Sequence, residues 1–369
     1  MLLPALLFGL FSGLLIVSIV FGNGLVICAI VRERKLRGNL QNRLILSLAV
    51  ADLLVGLLVM PLSAFYEITA KWTLGAVVCE VWLALDVLFV TASIGNLCVI
   101  SLDRYWSVSS PLTYRTHQTS RLMLYLIAGA WLLGVVISLP PLIGWRPQRQ
   151  LETCQLSSDV GYVLYSACGS FYIPIAVLLF AYFRIYVITR ENINRRVTEN
   201  ERTSRILMSV SLKSSAQLAL MTKQCDASVL AVQVGKKTKR KRRSSVPNSS
   251  LEENAKSYKS AAHSGSEDET HRKRSDYSSA PSTLTSRQRV LKRRELQATL
   301  LLGLILAAFT SCWLPFFLLY SLGAFGYNAP QLLFKICFWL GYCNSALNPL
   351  LYTLFNRDFR EAFRKQLWG

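Results

Sequence analysis

The chain has 369 residues, 52% hydrophobic and only 17% charged, where an ordinary soluble domain carries about 25% charged residues. Its net charge is +20 at neutral pH, yet the cations flank apolar runs instead of forming a basic face of their own, which sets nucleic acid aside as a partner. A soluble globular fold is excluded.

Seven apolar runs, near 5–31, 43–65, 77–102, 122–144, 161–188, 298–322 and 332–355, are each long enough to span a bilayer. The expected fold class is an all-α membrane protein, a seven-transmembrane helix bundle. Residues 1–191 hold spans one to five and 192–290 a long basic loop. Residues 291–355 hold spans six and seven, and 356–369 a short amphipathic helix.

Span one opens MLLPALLFGLFSGLLIV and continues through Asn23 to Val31. It has neither a basic start nor a small-residue cleavage site, so it reads as a span and not a signal peptide. Span two contains Asp52 within LSLAVADLLVG, followed by a short turn at Lys71-Trp72-Thr73-Leu74-Gly75.

Span three, Cys79 to Trp106, holds Asp86 a third of the way in and Asp103-Arg104 at its far end. At 1.5 Å per residue, Asp86 and Arg104 lie roughly 27 Å apart, close to the depth of a bilayer's hydrocarbon core. They share one stripe with Val90, Ser93, Leu97 and Ile100. Charge facing lipid is costly, so the stripe is expected to face protein or a wet cavity, and Asp86 is a candidate site.

After span three, SSPLTYRT reads as a proline-broken loop. Span four carries Trp131 and ends at Pro140-Pro141; span five, with YVLYSACGSFYIP in its first half, carries Pro174 mid-helix. From 192 to 290 Ser, Lys, Arg and Glu dominate, with KKTKRKRRSS and SEDE blocks. That stretch is expected to be largely disordered, its two ends continuing spans five and six as helix. Span six contains FTSCWLPFFLLY, whose Phe309, Trp313, Phe316, Phe317 and Tyr320 share an inner face around Pro315. Span seven reads FWLGYCNSALNPLLY, and FNRDFREAFRKQLW comes after it as an amphipathic helix along the membrane surface.

Arg and Lys crowd the ends after spans one, three, five and seven, while the opposite loops hold few. The positive-inside bias puts the amino terminus outside and the carboxyl terminus in the cytoplasm of a multi-pass plasma-membrane protein. Anionic lipid is then one partner of the basic segments. Cys79 and Cys154 fall on the oxidising side and are expected to form a disulfide. No nucleophile–base constellation or phosphate loop appears, so no enzyme is expected. Nor do internal repeats of the transporter kind. The abrupt ends point to a trimmed or unusually short chain.

Asn23, LAVADLL around Asp52, Asp103-Arg104-Tyr105, Trp131, Pro174, Cys312-Trp313-Leu314-Pro315 and Asn348-Pro349-Leu350-Leu351-Tyr352 occur in order. Together they resemble the rhodopsin-like (class A) G-protein-coupled receptors over nearly every residue outside the long loop. Asp86 with Trp313, Phe316, Phe317 and Tyr342 resembles the biogenic-amine branch, and the fifth and seventh spans look most like alpha-adrenergic and octopamine receptors. Lys335 sits too near the end of span seven to serve as a retinal-binding lysine.

The resemblance implies a small cationic amine as ligand: octopamine, adrenaline or noradrenaline, with serotonin, dopamine or tyramine as the alternative. Asp86 would take the ammonium by a charge-assisted hydrogen bond, lined by Val87 and caged by Trp313, Phe338 and Tyr342. Ser166 and Ser170, one turn apart, suit a ring hydroxyl; the competing reading is a serine bonded back to its own helix. Ala167 between them weakens a catechol preference. Phe316, Phe317 and Tyr320 would sandwich the ring. No cofactor is implied, but a modulating sodium ion is, on Asp52, Ser93, Asn344 and Asn348.

For activation, the resemblance implies that Glu295 pairs with Arg104 at rest, within Asp103-Arg104-Tyr105. Agonist would rearrange Ile94, Pro174 and Phe309 and free Arg104 for a heterotrimeric G protein. Tyr182, Pro349 and Tyr352 would support the opened state. Arrestin and receptor kinases are the further partners implied.

Overall fold

The computed structural model describes residues 2–145, 152–239, 300 and 303–368, and among them there is helix, turn and link but no strand. Among the described residues, six helices are long and apolar enough to cross a membrane: Leu3–Arg32, Gln41–Thr69, Ala76–Ser109, Ser120–Ser138, Val160–Thr222 and Gly303–Ala324. The seventh, Gln331–Phe355, has 25 residues, and its apolar character is diluted by Tyr342, Asn344, Ser345 and Asn348, all buried. Its polarity is thus turned inward, where protein and not lipid meets it.

The chain divides into Met1–Thr189 with Arg294–Gly369, which holds the bundle, and Arg190–Arg293. The last helical stretch of span five runs Ile173–Lys239, continuing the span into the loop region as helix. Residues 201–222 are exposed. The remainder of the loop, and Glu295 beyond it, lie outside the described residues.

Span three, Ala76–Ser109, is the shared wall, packed against spans two, four and five. Asp86, Phe89 and the whole run Thr91–Leu97 are buried, as the charge-bearing stripe requires. Span one instead shows lipid a stripe of Leu3, Leu7, Leu10, Leu14, Val17 and Phe21.

Two helices contain a wider turn that periodicity does not reveal. Val55–Val59 in span two and Cys168–Tyr172 in span five are π-helical, lying just ahead of Pro61 and Pro174. A proline ring clashes with the carbonyl four residues back, and the extra residue relieves that clash. It also turns the next segment by about 100° relative to a straight helix. In span two the result is that the Val59 carbonyl accepts from both Ser63 Oγ and Trp82 Nε1, each at 3.1 Å.

The expected loop after span three is instead a short helix, Pro111–His117. Pro111 occupies its first position, where a missing N–H costs nothing, so the proline starts this segment instead of breaking it. The closing helix, Arg357–Trp368, buries Phe359, Ala362 and Phe363, with Phe359 stacked on Tyr352 at 5.7 Å. Ion pairs Lys35–Asp358 (2.6 Å) and Lys365–Glu33 (3.3 Å) join it to the link after span one. They are solvent-exposed and add little beside that burial.

Candidate ligand-binding site

Span three begins at Gly75, with Cys79 one turn in and bonded to Cys154. That bond pulls the link between spans four and five over the bundle, and brings Leu156 into the lining of a narrow cavity. Asp86, Val87, Ser166, Ser170, Trp313, Phe316, Phe317, Tyr320 and Phe338 all line it. Nine of the ten sequence-derived ligand residues therefore meet around one space.

The tenth, Tyr342, holds the carboxylate. Its hydroxyl donates to Asp86 Oδ1 at 3.1 Å and lies 3.2 Å from Ser63 Oγ. Ser63 reaches this position because of the wide turn in span two. Asp86 and Tyr342 are 5% and 1% exposed. Among the described residues no lysine or arginine forms an ion pair with Asp86. A carboxylate held away from water, with a phenol as its hydrogen-bond partner among the described residues, favours a positive charge beside it.

Aromatic rings fill the rest of the wall. Phe338 lies 4.9 Å from Tyr342 and 5.5 Å from Phe316. Phe316 stacks on Tyr320 at 5.7 Å and meets Trp313 edge-on at 6.0 Å. Such faces attract an ammonium and sandwich a ring. Both serines are bonded back to their own helix: Ser166 Oγ donates to the Val163 carbonyl and Ser170 Oγ to that of Ser166. Each hydroxyl keeps acceptor capacity toward the cavity.

The sequence reading missed Val90, Thr91, Leu156 and Tyr162, which also line the space. Val90 and Tyr162 lie four residues from Asp86 and Ser166, and Thr91 four from Val87, so helical spacing implies these three; Leu156, in a link, has no periodic signal. It missed Phe171 as well, which stacks on Phe317 at 4.5 Å and lies 5.7 Å from Phe309. An aromatic column thereby runs from the cavity wall down to Phe309, which is fully buried in one cluster with Ile94. Pro174 adjoins it, its carbonyl accepting from the Cys98 thiol at 3.5 Å.

Deeper in the bundle Asp52 is fully buried. Its Oδ1 accepts from Ser93 (2.8 Å) and Ser345 (2.9 Å), and its Oδ2 from Asn348 Nδ2 (2.8 Å). Asn344 is buried nearby, but the span-seven groups that reach the carboxylate are those of Ser345 and Asn348. Ser345 was not anticipated.

At the far end, Asp103 accepts from Tyr114 (2.6 Å) and Gln41 (2.9 Å). Arg104 is half-buried beside it, and Tyr105 faces Phe180 at 6.3 Å. Tyr182 is half-buried on span five, while the Tyr352 hydroxyl is buried with no partner among the described residues. Pro349 frees the Ser345 carbonyl, and Asn23 Nδ2 from span one meets it at 3.1 Å.

A membrane helix bundle with an aromatic-walled cavity at one end and a polar cluster around Asp103 at the other is the architecture of a transmembrane receptor. The profile of the 7 transmembrane receptor (rhodopsin family) matches residues 22–352, and the chain belongs to that family. It is a G-protein-coupled receptor of the plasma membrane and not an enzyme.

The chain is 37% identical to the 5-hydroxytryptamine receptor 1A-alpha of Takifugu rubripes, over 97% of its own length and 87% of that protein's. It is 37% identical to the Alpha-2A adrenergic receptor of Danio rerio, over 99% and 93% respectively. The Octopamine receptor of Bombyx mori is 34% identical, over 96% and 86%.

Proposed function

We propose that this receptor answers to a small biogenic amine, with a hydroxylated phenylethylamine of the octopamine, adrenaline or noradrenaline kind as its leading ligand. The observation that carries this reading is Asp86: a buried carboxylate, hydrogen-bonded by Tyr342, paired with no cation among the described residues and walled by aromatic rings. An ammonium there gains a charge-assisted hydrogen bond and ring faces in place of water. The kinship to octopamine and adrenergic receptors supports the choice of amine.

Serotonin is the second reading, with dopamine and tyramine in the same group. Ala167 lies where a third hydroxyl would serve a catechol, and the similarity to a 5-hydroxytryptamine receptor is of the same size. A thermal-shift panel of octopamine, noradrenaline, serotonin, dopamine and tyramine on the purified chain tests the proposal. Stabilisation by at least one amine, strongest for octopamine or noradrenaline, is expected; stabilisation by none overturns it.

In this reading the disulfide end faces outside and the Arg104 end the cytoplasm, in keeping with the cationic flanks. Agonist pulls on Trp313 and Phe317, the Phe171–Phe309 column passes the strain to Ile94 and Pro174, and span six moves. Arg104, freed from Glu295, then engages the G protein, with Tyr182 and Tyr352 closing behind it. Arrestin and receptor kinases act on the same face, and anionic lipid meets the basic flanks.

A sodium ion is a further proposal. Asp52 with the hydroxyls of Ser93 and Ser345 and the amides of Asn344 and Asn348 is an oxygen-rich set suited to a hard cation. Bound there, the ion would supply the positive charge that balances Asp52 in the resting bundle.

A further inference from the structure

Span four ends on two consecutive prolines, Pro140 and Pro141, neither of which has an N–H. In an unbroken helix those two N–H groups would donate to the carbonyls of Val136 and Ile137, four residues back. Span five meets both carbonyls instead. The Tyr165 hydroxyl donates to the Val136 carbonyl at 3.0 Å, and that of Tyr162 to the Ile137 carbonyl at 3.5 Å. Inside a bilayer no water replaces such a donor, so an unmet carbonyl is costly.

The two tyrosines stand three residues apart in Val160–Ala167, the first turns of span five. Trp145, just past the prolines, packs on both, 5.9 Å from Tyr162 and 6.3 Å from Tyr165. Its ring lies over Gly161, where a Cβ would come within 2.7 Å of it. Tyr162 is 2% exposed and lines the cavity alongside Ser166 and Ser170. One phenol ring thus bears on span four and on the ligand space together. The chain uses the same solution elsewhere, where Asn23 meets the carbonyl freed by Pro349.

We propose that Tyr162 and Tyr165 are positioning residues. By capping the carbonyls that Pro140-Pro141 leave free, they set the rotation and depth of the first turns of span five. They thereby set where Ser166 and Ser170 stand relative to Asp86, and how strongly a ring hydroxyl on the ligand counts. The claim rests on the amine reading above and adds a device that governs selectivity among amines.

The test is a double-mutant cycle on the full chain in lipid nanodiscs, measuring affinity for octopamine and for phenylethanolamine, which lacks only the ring hydroxyl. Tyr165→Phe removes the donor and keeps the ring. It is expected to shrink the octopamine-to-phenylethanolamine affinity ratio by about three- to twentyfold, the span of measured interhelical hydrogen bonds in membranes, with phenylethanolamine affinity held. Pro140→Ala supplies an N–H to the Val136 carbonyl, so Tyr165→Phe in that background should leave ratio and melting temperature unchanged.

An unchanged ratio in Tyr165→Phe overturns the proposal. So does a loss of ratio, or of folding, that Pro140→Ala fails to repair, because a purely packing role for the ring gives that result. If the unaltered chain binds neither of these two, the phenylethylamine reading fails and the selectivity claim falls with it, while the serotonin reading is left to the amine panel above.

Discussion

The indole of Trp313 lies against the bare backbone of Gly341, so close that a Cβ at 341 would stand 2.6 Å from the ring. Span six can present this side chain at the floor of the cavity only because span seven offers a position without a side chain. Gly341→Ala must push the indole aside or strain the core, at about 1–3 kcal/mol for overpacking. We expect amine affinity to fall about fivefold to a hundredfold, as that energy implies. Trp313→Phe in the same background should recover part of it, since the three contacted atoms belong to the outer ring of the indole. Radioligand displacement on the single and double variants checks both.

In the proposed amine site, Tyr342 aims the carboxylate that receives the ligand. Tyr342→Phe deletes the 3.1 Å bond to Asp86 and leaves Ser63 without its phenol neighbour. Hydrogen bonds to charged groups contribute about 1.5–3 kcal/mol, so amine affinity should drop about tenfold to a hundredfold. Saturation binding measures it, with thermal stability as the control for folding.

The disulfide couples fold to site because Leu156 lies two residues past Cys154. The bond joins residues 75 apart in sequence, and removing such a bridge costs about 2–5 kcal/mol. Cys154→Ser should therefore lower both the melting temperature and amine affinity. Reductant should reproduce the loss in the native chain and leave the variant unaffected, as a thermal-shift titration would show.

In the proposed switch, Tyr114 is the restraint on Asp103 at the cytoplasmic end. It donates to Asp103 at 2.6 Å and accepts from Gln118 at 2.7 Å. Burial, reinforced by the bond to Asp103, raises its pKa above the ordinary value of 10. A raised folded-state pKa means that the contribution is complete below about pH 10 and is lost only as pH climbs past the folded value. Tyr114→Phe should raise agonist-free nucleotide exchange on the G protein about fivefold, the worth of about 1 kcal/mol in a two-state equilibrium. The phenol's own titration should add no pH dependence to that increment between pH 6.5 and 8.5. GTPγS binding at the two pH values measures it.

Much of the site was legible because charge inside a bilayer is rare and expensive: Asp52 and Asp86 stood out in apolar surroundings, and helical spacing placed Trp313, Phe316, Phe317 and Tyr320 on one inner face, while Phe338 and Tyr342 came from the resemblance to amine receptors. What spacing could not give depends on departures from a regular helix. The wide turns ahead of Pro61 and Pro174 rotate the helical segments beyond them, so a straight projection does not bring Ser63 to Tyr342. Ser345 reaches Asp52 from beside the expected Asn344, a one-residue difference that side-chain length and helix rotation decide. Leu156 enters through a covalent bond two residues away. The helix at Pro111–His117 was hidden by reading Pro111 as a breaker, although a proline opens a helix as readily as it ends one.

The central claim is that the Asp86 carboxylate receives the ligand's ammonium, and the most direct measurement is octopamine and serotonin affinity on the native chain and on Asp86→Asn. The substitution keeps size and removes charge. Breaking a desolvated charge pair costs about 2–5 kcal/mol, so the account predicts a loss of about thirtyfold to several-thousandfold with the melting temperature of the ligand-free protein preserved. Equal affinity in the two proteins would contradict it.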